Sequence, residues 1–251
     1  MPPRMPENYR VLVYDELDST MDEARRQIAQ GVATPFWIIA ARQTKGRGRR
    51  NRVWTSSAGN LFCTLVLNPE TTVAEAAKLS FLTALSVGES LDQFTRNPLR
   101  IRFKWPNDVL LDGAKVAGVL LEAESHPAGP LVWLSIGIGV NLAHYPENTE
   151  WPATSLAASG IESPHPHAVL EALAARFAHW LERWRREGFA PVKTAWLNRA
   201  ARVGKKIEVR LDKETLHGIF STLDDSGALV LTGPDGAIRL VSAGDVFFSK
   251  D

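Results

Sequence analysis

Cysteine is all but absent from this chain: Cys63 is the single one among 251 residues, which excludes an internal disulfide and a zinc site built on cysteines. Long apolar runs are missing too. The opening MPPRMPENYR holds no apolar stretch of signal-peptide type, and the longest uncharged one, Leu131 to Ala143, falls short of the roughly 20 residues that a membrane span needs. A soluble, cytoplasmic protein is the expectation. Charge of one sign is lacking as well: 29 Lys and Arg oppose 28 Asp and Glu, a formal net charge of +1, so affinity for nucleic acid or an anionic membrane cannot rest on a broad field. There is no internal repeat, coiled coil or low-complexity tract. With 45% hydrophobic and 23% charged residues, the composition excludes whole-chain disorder and suffices for a full core.

What the chain does have is tryptophan, 8 of them, two in polar segments that contain glycine or proline, Trp54 and Trp105. Its patterning predicts an α+β domain over 1–202 and a small all-β unit over 203–251. A strand at Arg10–Tyr14 leads to a helix opening at Thr20, where Thr20 and Glu23 have capping-box spacing, and Gly31 stops it. Buried strands follow at Phe36–Ala41 and Leu61–Leu67, then one long helix from Val73 to Leu91. Strands at Ile101–Phe103 and Val109–Leu111, a turn at Asp112-Gly113, a return strand from Lys115 to Glu122 and a buried strand at Leu131–Val140 come next. Helices over Ala168–Glu187 and about 191–201 close the domain, before five short strands around 206–210, 216–223, 228–231, 237–241 and 245–248.

Four segments carry chemistry. In Lys45-Gly-Arg-Gly-Arg-Arg-Asn-Arg52, five cations lie within eight residues and two glycines free the backbone to wrap, a loop suited to a polyanion and mobile until one neutralises it. Residues 45–53 are therefore expected to be disordered without ligand, and Trp54 is placed to cover a flat ring. Lys104-Trp-Pro-Asn-Asp108 sets a cation, an amide and a carboxylate on a turn stiffened by Pro106, useful for phosphate and its Mg²⁺. Lys115 enters an apolar strand, where it either snorkels or serves as a point charge on a reacting carboxylate and phosphate. Gly137-Ile-Gly-Val-Asn141 lets a ligand approach a strand closely and ends in a donor and acceptor suited to a base edge such as adenine.

In this order and spacing, GRGRRNRVW, KWPNDV, KVAGVLLE and GIGVN resemble the motifs of biotin protein ligases, over nearly the whole chain. The resemblance implies a class II synthetase-like mixed sheet flanked by helices, with a small C-terminal SH3-like barrel. It implies an ATP- and Mg²⁺-dependent ligase that forms biotinyl-5′-AMP and transfers biotin to a lysine of a carboxylase's biotin carboxyl carrier domain. Carried over by position, Ser19, Thr20, Met21, Gln43, Arg47, Gly48, Arg49, Lys115, Gly118 and Gly139 contact biotin, Met21 departing from the family's usual asparagine. Arg47, Arg49, Trp54, Asn107, Asp108 and Asn141 fall at ATP positions, Asp108 also as an oxygen ligand of the metal, and Arg49 and Lys115 as the catalytic pair. About nine residues precede the first strand, so the DNA-binding head of larger family members, and direct DNA binding, are not expected. Family members dimerise through sheet edges, and an exposed edge near residues 115–140 is where a homodimer would form.

Rival readings fare less well. A lipoate ligase or lipoyl transferase typically lacks the GRGRR and KWPND pair, a nucleic-acid regulator using the 45–52 loop wants a second basic stripe, and a non-catalytic sensor would lack Arg49 or Lys115. His165-Pro-His167 reads as solvent-facing, Cys63 as a small buried hydrophobe, and Phe177, Trp180 and Trp184 as a core stripe.

Overall fold

The computed structural model of the chain describes residues 2–125 and 131–248, Asn51 by its backbone alone. Strands β1 (Arg10–Leu17), β2 (Phe36–Gln43), β3 (Leu61–Leu67), β4 (Ile101–Lys104), β5 (Asp108–Leu111), β6 (Ala114–Ser125) and β7 (Leu131–Val140) form a seven-stranded sheet in the order β1-β2-β3-β7-β6-β5-β4. The sheet is mixed, since β1 runs parallel to β2 while the other ladders are antiparallel. Helices α1 (Thr20–Ala29), α2 (Val73–Ala77), α3 (Leu79–Thr95), α4 (Pro166–Glu187) and α5 (Ala190–Asn198) cover it.

The continuous apolar runs of β2 and β3 follow from burial on both faces. Phe36 and Ile38 pack with Ala24 of α1 on one side, whereas Trp37 and Ile39 join the large core of α3 and α4 on the other. Phe177 and Trp180 are buried in that core as the stripe on α4 predicts, and Cys63 is fully buried. Burial raises the Cys63 thiol well above its ordinary pKa, which keeps it protonated and inert.

Two local expectations are corrected. The long helix from Val73 breaks at Lys78, which closes α2 with its N–H on Glu75 and Ala76 carbonyls and opens α3 without a side-chain cap. Lys78 is tied down at the break, its Nζ 2.5 Å from Glu75 Oε1 and 5.4 Å from the Phe189 ring centre. The cap of α1 is Ser19 rather than Thr20: the Ser19 hydroxyl accepts from the Met21 N–H, while Glu23 turns to Tyr14, Arg26 and Gln27. Thr20 is thereby free to fasten α1 to the sheet, its N–H donating to Gln43 Oε1 at 2.8 Å and its hydroxyl accepting from Thr64 at 2.8 Å.

Strands β8 (Lys206–Arg210), β9 (Thr215–Leu223), β10 (Leu229–Thr232), β11 (Ile238–Val241) and β12 (Asp245–Phe248) form an antiparallel sheet in the order β11-β10-β9-β8-β12. Among the described residues no ladder joins β11 to β12. This unit shares its core with the large domain: Ile207, Val209, Phe220, Leu229 and Val246 belong to the same apolar cluster as α3, α4 and α5. Trp105 is buried at the junction and donates its Nε1–H to the Gly227 carbonyl at 3.1 Å. Among the described residues no helix is long and apolar enough to cross a membrane.

Candidate active site

Between the arginine-rich segment, the 104–108 turn, β6, β7 and the start of β12 lies a cleft of about 270 Å³. It collects every site residue read from the sequence: Ser19, Thr20, Met21, Gln43, Arg47, Gly48, Arg49, Trp54, Asn107, Asp108, Lys115, Gly118, Gly139 and Asn141 all line it. Elements separated by more than 100 residues in sequence are brought together because β6 and β7 are neighbours at the centre of the sheet, with β5 alongside β6.

One end of the cleft is a flat apolar slot. The glycines of β7 are spaced for close approach, and what approaches them is this chain's own side chains. A Cβ on Gly139 would lie 2.4 Å from Trp54 Cε2, and one on Gly137 would lie 2.7 Å from Met21 Sδ, so the Trp54 ring and the Met21 thioether rest directly on the strand. Met21 is buried and brings no hydrogen-bond donor to the slot. Polar groups border it: Gln43 accepts from Thr20 and donates to Ser56 Oγ at 3.0 Å, and Ser56 donates to the Trp54 carbonyl at 2.9 Å. This knot holds the root of the arginine-rich segment and depends on Gly46, where a Cβ would meet Ser56 Oγ at 2.4 Å. Gly48 is extended and has room for a side chain, so of the two loop glycines Gly46 is the one that the backbone path requires.

The cations of the segment are less crowded than their spacing suggests, because carboxylates distant in sequence reach them. Arg47 lies 2.7 Å from Asp22 and 3.2 Å from Glu122. Burial alone would lower its pKa, but these two carboxylates hold it above the ordinary arginine value. Arg50 lies 2.6 Å from Asp212 and 3.3 Å from Asp245, and Arg52 also pairs with Asp245. Arg49 differs. It is half-buried and donates to neutral acceptors, Asn107 Oδ1 at 3.3 Å and the Gly244 carbonyl at 3.4 Å, with no carboxylate in salt-bridge contact among the described residues. Desolvation pulls its pKa down against the attraction of Asp245 and Asp108. A partly desolvated guanidinium without a counter-ion is ready for an anion.

Lys115 reaches into the cleft from β6, its backbone N–H on the Pro152 carbonyl at 2.8 Å, and its Nζ is 2.6 Å from Asp108 Oδ1. Lys104 Nζ is 2.9 Å from Asp108 Oδ2. Burial would raise the Asp108 pKa, but the two ammonium groups overcome it and hold the carboxyl at about 2. Both oxygens of Asp108 are thus engaged by lysines, and it serves as their shared counter-ion. Among the described residues no group of three or more His, Cys, Asp or Glu could hold a metal ion. His165 caps α4, its Nδ1 accepting the His167 N–H at 3.2 Å.

At the other end Asn141 is buried and donates Nδ2 to the Thr154 carbonyl at 3.0 Å. Beside it stand groups that sequence reasoning did not assign to the site. Trp151 lines the cleft with Lys104 Nζ 4.6 Å from its ring centre, and Phe248 meets it edge-on at 4.6 Å. Asp245, Val246 and Phe247 bring the C-terminal sheet into the lining. A tryptophan in the proline-rich 144–167 connection was the available signal for Trp151; Asp245 had none, being one acid among 28 Asp and Glu.

A cleft with an apolar slot, a paired set of cations and a buried asparagine can be set against known proteins. Residues 25–198 match the biotin/lipoate A/B protein ligase family, and residues 203–249 match the biotin protein ligase C-terminal domain. A biotin acetyl-CoA-carboxylase ligase of Paracoccus denitrificans is 44% identical over 237 residues, 92% of this chain and 97% of that one. A solved biotin protein ligase of Aquifex aeolicus in complex with biotin and ATP superposes with a TM-score of 0.81 at 28% identity, covering 95% of this chain and 97% of that one. One of Leishmania major in complex with biotinyl-5-AMP gives a TM-score of 0.68 at 26% identity over 95% of this chain and 100% of its own. The family match runs through the strands and loops that build the cleft, and on that match and the 44% identity the chain belongs to the biotin/lipoate A/B protein ligase family.

Proposed function

We propose that the chain is a biotin protein ligase that condenses biotin with ATP to biotinyl-5′-AMP and passes the acyl group to a lysine of a carboxylase's biotin carboxyl carrier domain. The observation that carries this reading is that Arg49 and Lys115, from distant parts of the sequence, are held by consecutive residues of one turn, Asn107 and Asp108. A carboxylate is a poor electrophile, and bringing it to an anionic α-phosphate calls for positive charge fixed where charge develops. A carboxylate oxygen of biotin attacks the α-phosphorus and pyrophosphate leaves; the acceptor amine then attacks the acyl carbon, AMP leaves and the amine loses its proton. Arg49 and Lys115 bear on the first step. The slot of Met21, Gly137 and Gly139 takes the apolar body of biotin, with Ser19, Thr20, Gln43, Arg47, Gly48 and Gly118 around it, and Trp54 and the Asn141 end take the adenine. Asp108 keeps Lys115 aimed into the cleft. The arginine-rich segment covers the mixed anhydride against water. Mg²⁺ would neutralise phosphate charge when ATP binds, and Asp108 is the residue of this chain that would offer it an oxygen ligand.

The same reading extends to the whole molecule. Residues 1–202 form the ligase domain and 203–251 an SH3-like barrel; the protein acts in the cytoplasm and makes no direct contact with DNA, its loop arginines being engaged with Asp22, Glu122, Asp212 and Asp245. Self-association would use β6, whose ladder with β5 ends at Gly118, with Asn107 still bonded to Val119, and leaves one side of the residues beyond open. The test is incubation of the purified chain with ATP, Mg²⁺, biotin and a carrier domain. Biotinyl-lysine by mass spectrometry is the expected product; its absence, with lipoyl-lysine formed under matched conditions, overturns the reading.

A further inference from the structure

We infer that Asp245 is a positioning residue for the adenylation step, holding the arginine-rich segment over the cleft from the C-terminal sheet. The inference rests on the proposed ATP-dependent activation of biotin and adds to it a role for the small unit. Three arginines of the segment reach one corner of that unit: Arg50 and Arg52 both pair with Asp245, Arg50 also pairs with Asp212, and Arg49 donates to the carbonyl of the preceding Gly244. The corner is itself fixed. Asp245 opens β12 opposite Arg210 of β8, and Gly244 packs so closely that a Cβ there would lie 3.0 Å from Val209 Cγ1. Asp245 is largely buried, its side chain 17% exposed, while its partners Arg50 and Arg52 are 39% and 57% exposed, so a rooted carboxylate restrains mobile cations.

The consequence is a division of labour along the segment. Arg50 has a left-handed backbone, φ 54° and ψ 35°, which turns consecutive side chains apart: Arg50 goes to the carboxylates and Arg49 to the cleft beside Asn107. Without Asp245, the pair Arg50 and Arg52 loses its common acceptor, repulsion among the cations returns, and Arg49 is no longer delivered to the phosphate. Asp245 touches neither substrate in this scheme; it acts through the loop.

The test compares Asp245→Ala and Asp245→Glu with the native chain, and with Glu214→Ala as a control that removes an exposed pair with Arg239 on the same sheet. Two readouts are taken without and with ATP: the rate at which trypsin cuts within residues 45–52, and the KM for ATP and kcat of biotin-dependent pyrophosphate release. For Asp245→Ala the expected results are cleavage and KM for ATP each raised roughly three- to tenfold, the range that one to two exposed ion pairs support, with a melting temperature lowered by no more than ~2–4 °C. Asp245→Glu and Glu214→Ala should both stay close to native values. Unaltered cleavage and KM in Asp245→Ala overturn the inference, as does an equal change in Glu214→Ala. Should the native chain release no pyrophosphate with biotin, the functional reading fails, whereas tryptic protection still reports whether Asp245 holds the loop.

Discussion

Lys115→Ala abolishes biotinyl-adenylate formation while leaving the fold nearly intact. The variant removes a point charge from where the carboxylate and the α-phosphate meet, and loss of one such pre-placed charge or donor slows reactions of this kind by on the order of 10²–10³-fold. Its cost to stability is small for a reason that the structure supplies: Asp108 keeps Lys104 at 2.9 Å, so the buried carboxylate retains a partner. The Lys115 side chain is also 28% exposed, so losing its ion pair should cost about 1 kcal/mol, a fall of ~2–4 °C in melting temperature for a chain of this size. Pyrophosphate release with biotin and ATP, read beside a thermal melt, checks both halves. Activity within tenfold of native, or a collapse of the melt, would show that Lys115 is a structural residue.

Asp108→Ala produces the opposite balance, a large loss of stability. It leaves Lys104, whose side chain is 8% exposed, and Lys115 facing each other with no anion between them. Breaking a buried pair by removing one partner costs on the order of 3–5 kcal/mol. The sign of the pH effect follows from the carboxyl's position. It titrates at about 2 in the folded chain against 3.8 as the ordinary value, so its contribution is fully present above the ordinary value and is lost as pH falls through about 2. Chemical denaturation of native chain and variant at pH 7, 5 and 2.5 should show a gap equal at the first two and smaller at the third. A gap that is absent at pH 7, or that does not shrink on acidification, would contradict the role of Asp108 as the lysines' shared counter-ion.

These two residues illustrate how far the sequence could be read. Lys115 and Asp108 stand in compact motifs, and chemistry confined to a few consecutive residues is legible without a fold. The slot glycines were legible for the same reason, though Trp54 and Met21 as the groups resting on them were not. The partners of the loop arginines were out of reach. Asp22, Glu122, Asp212 and Asp245 are separated from them by 25 to 195 residues, and nothing in an isolated acid says which cation it will face. Spacing alone therefore implied a crowded, mutually repelling loop, where the fold supplies compensation. The helix break at Lys78 was missed because α2 and α3 share one apolar period, and only the packing of Phe81 and Phe189 beneath it, ring centres 5.5 Å apart, reveals the turn.

The hydrogen bond from Trp105 to Gly227, at the seam of a continuous core, bears on how the protein loses its structure. The turn that presents Asn107 and Asp108 to the cleft is anchored by a side chain whose own anchor lies in the other unit. The site and the seam between the units are in this sense one cooperative element. A change that loosens the small sheet reaches the cleft through two residues of backbone, and inheritance of one unit without a matching surface on the other would deprive the ligase of its geometry before it deprived it of its fold.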